Sequence, residues 1–153
     1  MIISQITSRK LLEDCVDMYL ALNDENFLPA SRDLAIKRLD LLVRRKRYVR
    51  VLTNNSTPIA WLYADISDVQ HCNKRIIQQN YYASNTSGVL AYKCVKLLHE
   101  DLISYAIEKR FQVIISPGSH MDPDNTFARI LEKLGWERRH YIALYKTPLY
   151  FEN

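Results

Sequence analysis

Asn125-Thr-Phe-Ala-Arg-Ile-Leu-Glu-Lys-Leu-Gly135-Trp136 is the stretch on which the fold turns. Phe127, Ile130, Leu131 and Leu134 recur at helical spacing and share one face of a short amphipathic helix. Asn125 suits the N-cap, where its side-chain oxygen accepts an orphan amide of the first turn. Gly135 stands where a helix closes through a residue in the left-handed region, which glycine enters without steric cost. The stretch therefore predicts a capped helix that feeds a strand.

Upstream, the pattern alternates between the two periodicities. Met1 to Ile6 predicts a short strand. Lys10 to Leu22 predicts a helix with Leu12, Cys15, Val16 and Tyr19 on one face. Asn23 to Pro29 is a loop, and Ser31 is the expected N-cap of a second helix running to about Arg47. Its apolar stripe is Leu34, Ala35, Leu39, Leu42 and Val43. Tyr48 to Thr53 and Pro58 to Ile66 predict a hairpin around Asn54-Asn55-Ser56, because Asn tolerates positive φ. Asp68 to Lys74 is polar and predicts a loop. Arg75 to Ala83 follows as a strand, and Ser84 to Gly88 as a turn. The longest helix runs from Val89 to about Lys109, with Ala91, Cys94, Val95, Leu98, Leu102, Tyr105 and Ala106 as its buried stripe. Phe111 to Ser116 is a short apolar run suited to a central strand. A last strand is expected near Arg138 to Tyr145, and Pro148 begins the tail. A hairpin followed by βαβ and αβ units predicts an α/β fold, a mixed and mostly antiparallel sheet with helices on both faces.

Composition narrows the class. A chain of 153 residues, 48% hydrophobic, supports one domain over residues 1–153. No apolar run approaches membrane-spanning length. Met-Ile-Ile-Ser-Gln-Ile lacks the form of a signal peptide, so a cytoplasmic protein without membrane attachment is expected. Cys15, Cys72 and Cys94 have no paired spacing and read as free thiols, and the scattered histidines give no ligand spacing, so no metal site is expected. The net charge of +4 is unevenly placed: Arg38, Arg44, Arg45, Lys46, Arg47 and Arg50 crowd together. That cluster reads as a phosphate or nucleic-acid surface, or as the solvated face and last turn of a helix, where cations suit the dipole.

The terminal segment, with Asn125, Ala128 and Glu132-Lys-Leu-Gly-Trp136, resembles the last conserved segment of the GNAT-superfamily N-acetyltransferases, and the element order resembles that family from residue 1 to about residue 146. The resemblance implies a GNAT-like fold and acetyl-CoA as co-substrate, with acetyl transferred directly to a primary amine in a ternary complex. It also implies a cofactor loop before the long helix, whose unpaired amides and dipole favour an anion. The family there uses Gln or Arg, two residues, Gly, one residue, then Gly or Ala. This chain has Asn85-Thr86-Ser87-Gly88-Val89-Leu90, so Gly88 is kept, while Asn85 and Leu90 depart from the pattern; an alternative register places Ala91 in the second small position, one residue late. The cofactor-binding candidates are Tyr82, Ser84, Asn85, Thr86, Ser87, Gly88, Val89 and Asn125, the last toward the pantetheine arm.

Amine acetylation needs a route for the amine proton, a donor for the thioester oxygen and an acid for the leaving thiolate. The family's acid is a Tyr four residues before the terminal Gly, a position held here by Leu131, which exchanges no proton. The catalytic candidates are therefore His120, whose ordinary pKa suits a base, and Tyr141 and Tyr145 on the last strand, with Tyr81 and Tyr82 as substitutes. Gln78 and Gln79 occupy the strand where an acid would serve best, and neither titrates.

Three readings follow. The first is an N-acetyltransferase acting on a small-molecule or protein amine. The second is a catalytically silent GNAT-fold protein that serves as a binding, structural or assembly component, for example of a phage particle; under any reading the aromatic tail, Tyr145 to Phe151, offers a surface for a homodimer or larger assembly. The third, resting on the basic cluster alone, is a nucleic-acid-directed protein.

Overall fold

In the computed structural model, residues 1–22, 31–67, 72–117, 126–139 and 142–152 are described. The elements in chain order are β1 Ile2–Ser4, α1 Arg9–Leu22, α2 Arg32–Arg44, β2 Tyr48–Asn54, β3 Thr57–Ser67, β4 Ile76–Ser84, α3 Gly88–Glu108, β5 Val113–Pro117, α4 Thr126–Lys133, β6 Glu137–Arg139 and β7 Ile142–Lys146. The strands form one seven-stranded sheet in the order β1-β2-β3-β4-β5-β7-β6. β4 and β5 pair in parallel, while β1 with β2, β5 with β7, and β6 with β7 pair antiparallel. The expected mixed, mostly antiparallel α/β architecture is therefore the one observed.

The chain divides into two compact units, Met1–Tyr63 with Tyr81–Cys94, and Ala64–Asn80 with Val95–Asn153. In the first, α1 and α2 bury Leu12, Cys15, Val16, Ile36 and Leu39 in a core shared with Val49, Val51 and Trp61. Ser31 caps α2 as its side chain dictates: extended at φ −98°, it accepts the Leu34 amide at 3.3 Å. The β2–β3 turn places Asn55 and Ser56 at φ 50° and 66°, the doubly left-handed geometry whose twist matches the flanking strands. One expectation fails in α2. Leu34, placed in the buried stripe, is 60% exposed, and Ile36 is buried instead. Leu39 is buried and Ala35, Leu42 and Val43 pack against the same core, so the stripe stands and only its first member moves, from Leu34 to Ile36.

In the second unit, α3 buries Leu98, His99, Leu102 and Ala106, and β5 buries Val113 and Ile114. α4 closes as its sequence implies. Gly135 sits at φ 94°, the Trp136 amide donates to Leu131 O at 3.0 Å and the Gly135 amide to Glu132 O at 3.0 Å. The same double closure ends α2 at Lys46 (φ 55°) and α3 at Arg110 (φ 63°), where no glycine marks it. This is why the expected ends near Arg47 and Lys109 had no sharp signal. The single strand expected over Arg138 to Tyr145 is instead β6 and β7, paired through Glu137–Leu144 and Arg139–Ile142. The tail folds back onto its own unit. Thr147 Oγ1 donates to Phe111 O at 2.7 Å, Gln112 Nε2 to Glu152 O at 2.7 Å, and Lys74 Nζ to Tyr150 O at 2.6 Å.

Candidate functional site

The loop between β4 and α3 lies wholly within the first unit and is built from Tyr82 to Val89. Its root is tied to β3: the Asn85 amide and the Ser84 hydroxyl both donate to Ile59 O, at 3.2 and 3.1 Å. Ser84 Oγ in turn accepts the Thr86 amide at 3.2 Å and lies 2.5 Å from Thr86 Oγ1. Thr86 Oγ1 also reaches Cys94 Sγ at 3.7 Å, one to two turns along α3. A hydroxyl carries one proton, so Thr86's is spent inside the loop and the residue shapes it. Ser87 and Asn85 are exposed and unobstructed. No spacing rule foretells the Ile59 and Cys94 partners, because both come from other turns of the fold.

Beyond Ser87 the chain enters α3. The first backbone bond of the helix runs from the Ala91 amide to Ser87 O at 3.3 Å, so the amides of Gly88, Val89 and Leu90 have no acceptor within the helix. Their dipoles align with the rest of a 21-residue helix, which makes its start a favourable place for an anion. Gly88 holds φ 60°, and a Cβ built there meets nothing within 4 Å. The glycine is therefore required for its backbone angle, and the space in front of it is open. Val89 is 74% exposed beside it, while Leu90 is half-buried. Tyr82 is half-buried at the loop's root. Burial and then Cys94 raise its phenol above the ordinary range. It carries its proton at neutral pH and is a donor rather than a base.

In the second unit Leu131 is 1% exposed, a core side chain on α4. Tyr145 lies on β7 opposite Ile114, its ring 5.9 Å from that of Trp136, with Cε2 3.5 Å from where a Gly135 Cβ would stand. Gln79 is buried and its Oε1 accepts the Ser116 hydroxyl at 2.5 Å, just past Gln78–Ile115, the end of the β4–β5 ladder. This amide–hydroxyl pair stands on the strand where an acid would serve best, and it is uncharged. His120, Tyr141 and Asn125 lie outside the described residues, as does the loop expected over Asn23 to Pro29. Among the described residues no group of His, Cys, Asp and Glu is arranged to hold a metal ion, and no helix is long and apolar enough to cross a membrane.

No protein-family model matches the sequence, and no curated protein does. Solved structures do match the fold. The ribosomal-protein-alanine N-acetyltransferase from Brucella melitensis superposes with a TM-score of 0.73 at 13% identity, covering 95% of this chain and 99% of its own. An N-acetyltransferase from Staphylococcus aureus Mu50 gives 0.68 at 13% identity, covering 94% and 93%. The yncA protein from Salmonella typhimurium, solved with its cofactor acetyl-CoA, gives 0.70 at 11% identity, covering 99% and 95%. At such identities the likeness is one of fold, and the fold of this chain is that of the GNAT N-acetyltransferases.

Proposed function

We propose that the chain, acting as one functional domain, is an acetyl-CoA-dependent acyltransferase that acetylates a primary amine by direct transfer. The observation that carries this reading is the start of α3, where three orphan amides, beginning with that of the left-handed Gly88, follow a loop fixed by Ser84 and Thr86. The coenzyme pyrophosphate would take the amides of Gly88, Val89 and Leu90 and the Ser87 hydroxyl, with Asn85 beside them. Tyr82, at the root of the same loop, would contact the arm that leads to the thioester.

The reaction requires a neutral amine to attack the thioester carbonyl. The C–N bond forms, the C–S bond breaks, the amine gives up a proton and the sulfur takes one. Leu131 supplies neither transfer, so the chain would use His120 as base and Tyr141 or Tyr145 as the donor to sulfur. Proton transfer of this kind is worth about 10²–10⁴-fold in rate. Positioning the two substrates supplies a larger share, so a chain lacking the usual Tyr keeps a route to catalysis.

Calorimetric titration with acetyl-CoA, with coenzyme A as control, tests the reading. Micromolar binding that Gly88→Trp removes, in a variant of unchanged fold, is the expected result. Absence of binding up to about 1 mM, a free energy weaker than roughly −4 kcal/mol, would favour the second reading. That reading is a GNAT-fold protein without catalysis that serves as a binding or assembly component. Its support is Leu131, a core residue where a proton donor would stand.

A further inference from the structure

The outward face of α2 is the part of the first unit that neither packing nor the loop accounts for. Leu34 and Leu41 are 60% and 44% exposed, and with Arg38 and Arg45 they fall at intervals of four, three and four residues. At about 100° per residue these four side chains lie within one stripe, roughly 16 Å long. Lys37 and Arg44 flank it. Arg44 is paired with Asp40 at 2.9 Å, whereas Lys37, Arg38, Arg45 and Lys46 have no ion pair among the described residues. The span from Arg32 to Arg47 holds seven cations against Asp33 and Asp40, a net +5 where the whole chain carries +4.

We propose that this stripe docks an acidic, amphipathic helical segment of a partner protein, its carboxylates meeting the arginines and its apolar side chains covering the two leucines. The inference stands apart from the acyltransferase reading. Charge complementarity sets the sign of the partner, because a second copy of the same face would bring +5 against +5. The width of the stripe sets its form. α1, packed beside α2, carries a net −1, with Arg9 paired to Glu13 and Lys10 to Asp14. The remaining α1 carboxylate, Asp17, pairs with Arg32 at 2.8 Å. α1 therefore adds no free cation beside the stripe for a broad anionic surface such as a bilayer or a nucleic-acid duplex, while a single helix lying along α2 uses the cations that are there. Phosphates gain nothing from exposed leucines, whereas an amphipathic segment buries them.

The probe is a synthetic peptide of about 18 residues in which Leu and Glu share one helical face, read by fluorescence anisotropy against the intact chain. Controls are the same composition scrambled so that the face is lost, a polyglutamate, a 20-mer RNA, and vesicles containing phosphatidylglycerol. Micromolar binding of the patterned peptide is expected. Leu34→Ser with Leu41→Ser should weaken it at least ~10-fold, as should Arg38→Glu with Arg45→Glu. Equal binding of the scrambled peptide or polyglutamate would reduce the stripe to nonspecific charge and overturn the proposal. So would no binding of the patterned peptide at about 1 mM, or preferential binding of RNA or vesicles that the leucine pair of substitutions leaves unchanged. Both leucines are solvent-facing, so that variant keeps its fold, and it decides the matter even if the charge reversal does not fold.

Discussion

Lowering the pH from 7 to 5 should destabilise this protein through His99, and the size of the effect follows from its surroundings. The ring is fully buried in the second unit, 5.3 Å from Phe127 and 5.9 Å from Trp136, both edge-on. Its Nδ1 lies 2.8 Å from Val95 O. A carbonyl only accepts, so Nδ1 carries the proton of the neutral ring. Burial pulls the pKa down from 6.5 to about 4, against a smaller upward pull from the Val95 bond. The unfolded chain protonates its imidazole below about 6.5 while the folded chain does not until about 4. His99 therefore leaves stability intact above pH 6.5 and removes it as the pH falls through that window. A shift of this size corresponds to roughly 3 kcal/mol lost by pH 4, at up to ~1.4 kcal/mol per pH unit. That is a large part of the ordinary 5–15 kcal/mol total. Urea unfolding at pH 7.5, 6.5, 5.5 and 5.0 measures it, above the range where most carboxylates titrate. His99→Leu lacks the titrating group, so it should cost about 1 kcal/mol at pH 7.5 and flatten the slope. Parallel slopes for the two proteins, within about 0.5 kcal/mol, would refute the assignment of acid sensitivity to this ring.

Three further outcomes are expected. Lys46→Gly should raise the urea midpoint by the equivalent of about 0.5–1 kcal/mol, because it relieves a left-handed lysine at the end of α2; an unchanged or lower midpoint would count against that strain. Gly135→Ala should lower stability by about 1 kcal/mol through its φ of 94°, since the nearest atom to the added Cβ, Tyr145 Cε2, is at an ordinary 3.5 Å. Leu131→Tyr, which installs the resembling family's acid, should destabilise by roughly 1–3 kcal/mol through overpacking at a 1% exposed site; acetylation assays should show no gain, and a marked gain would mean that the position faces the reacting atoms.

The fold was legible where sequence punctuation and geometry coincide. Ser31 and Gly135 mark a helix start and a helix end because their side chains, or the lack of one, solve a backbone problem at those positions. Asn55 and Ser56 do the same for the hairpin. Legibility failed where an ordinary residue accepts the same strain, as Lys46 and Arg110 do at φ 55° and 63°. There the tertiary structure fixes the ends of α2 and α3, and no residue type announces it. It failed again at Leu34, since periodicity reports that a stripe exists more reliably than which residue begins it. The break between β6 and β7 fell in a run without glycine, proline or asparagine, so nothing separated the two strands on paper.

The candidate site divides in the same way. Gly88 was legible because positive φ at a helix start leaves a residue-type trace, and the orphan amides follow from helix geometry whatever the side chains are. The scaffolding of the loop was not legible, because Ser84, Thr86, Ile59 O and Cys94 meet only after β3, β4 and α3 are in place. This bears on how the departures at Asn85 and Leu90 should be weighed. An anion site made of backbone amides tolerates side-chain change so long as the helix start stays fixed, and here a hydroxyl network fixes it from below. A proton donor has no such latitude, since a leucine methyl cannot replace a phenol at any geometry. Coenzyme binding should therefore be the more robust half of the proposed function, and catalysis the half that a titration followed by an acceptor screen puts at risk.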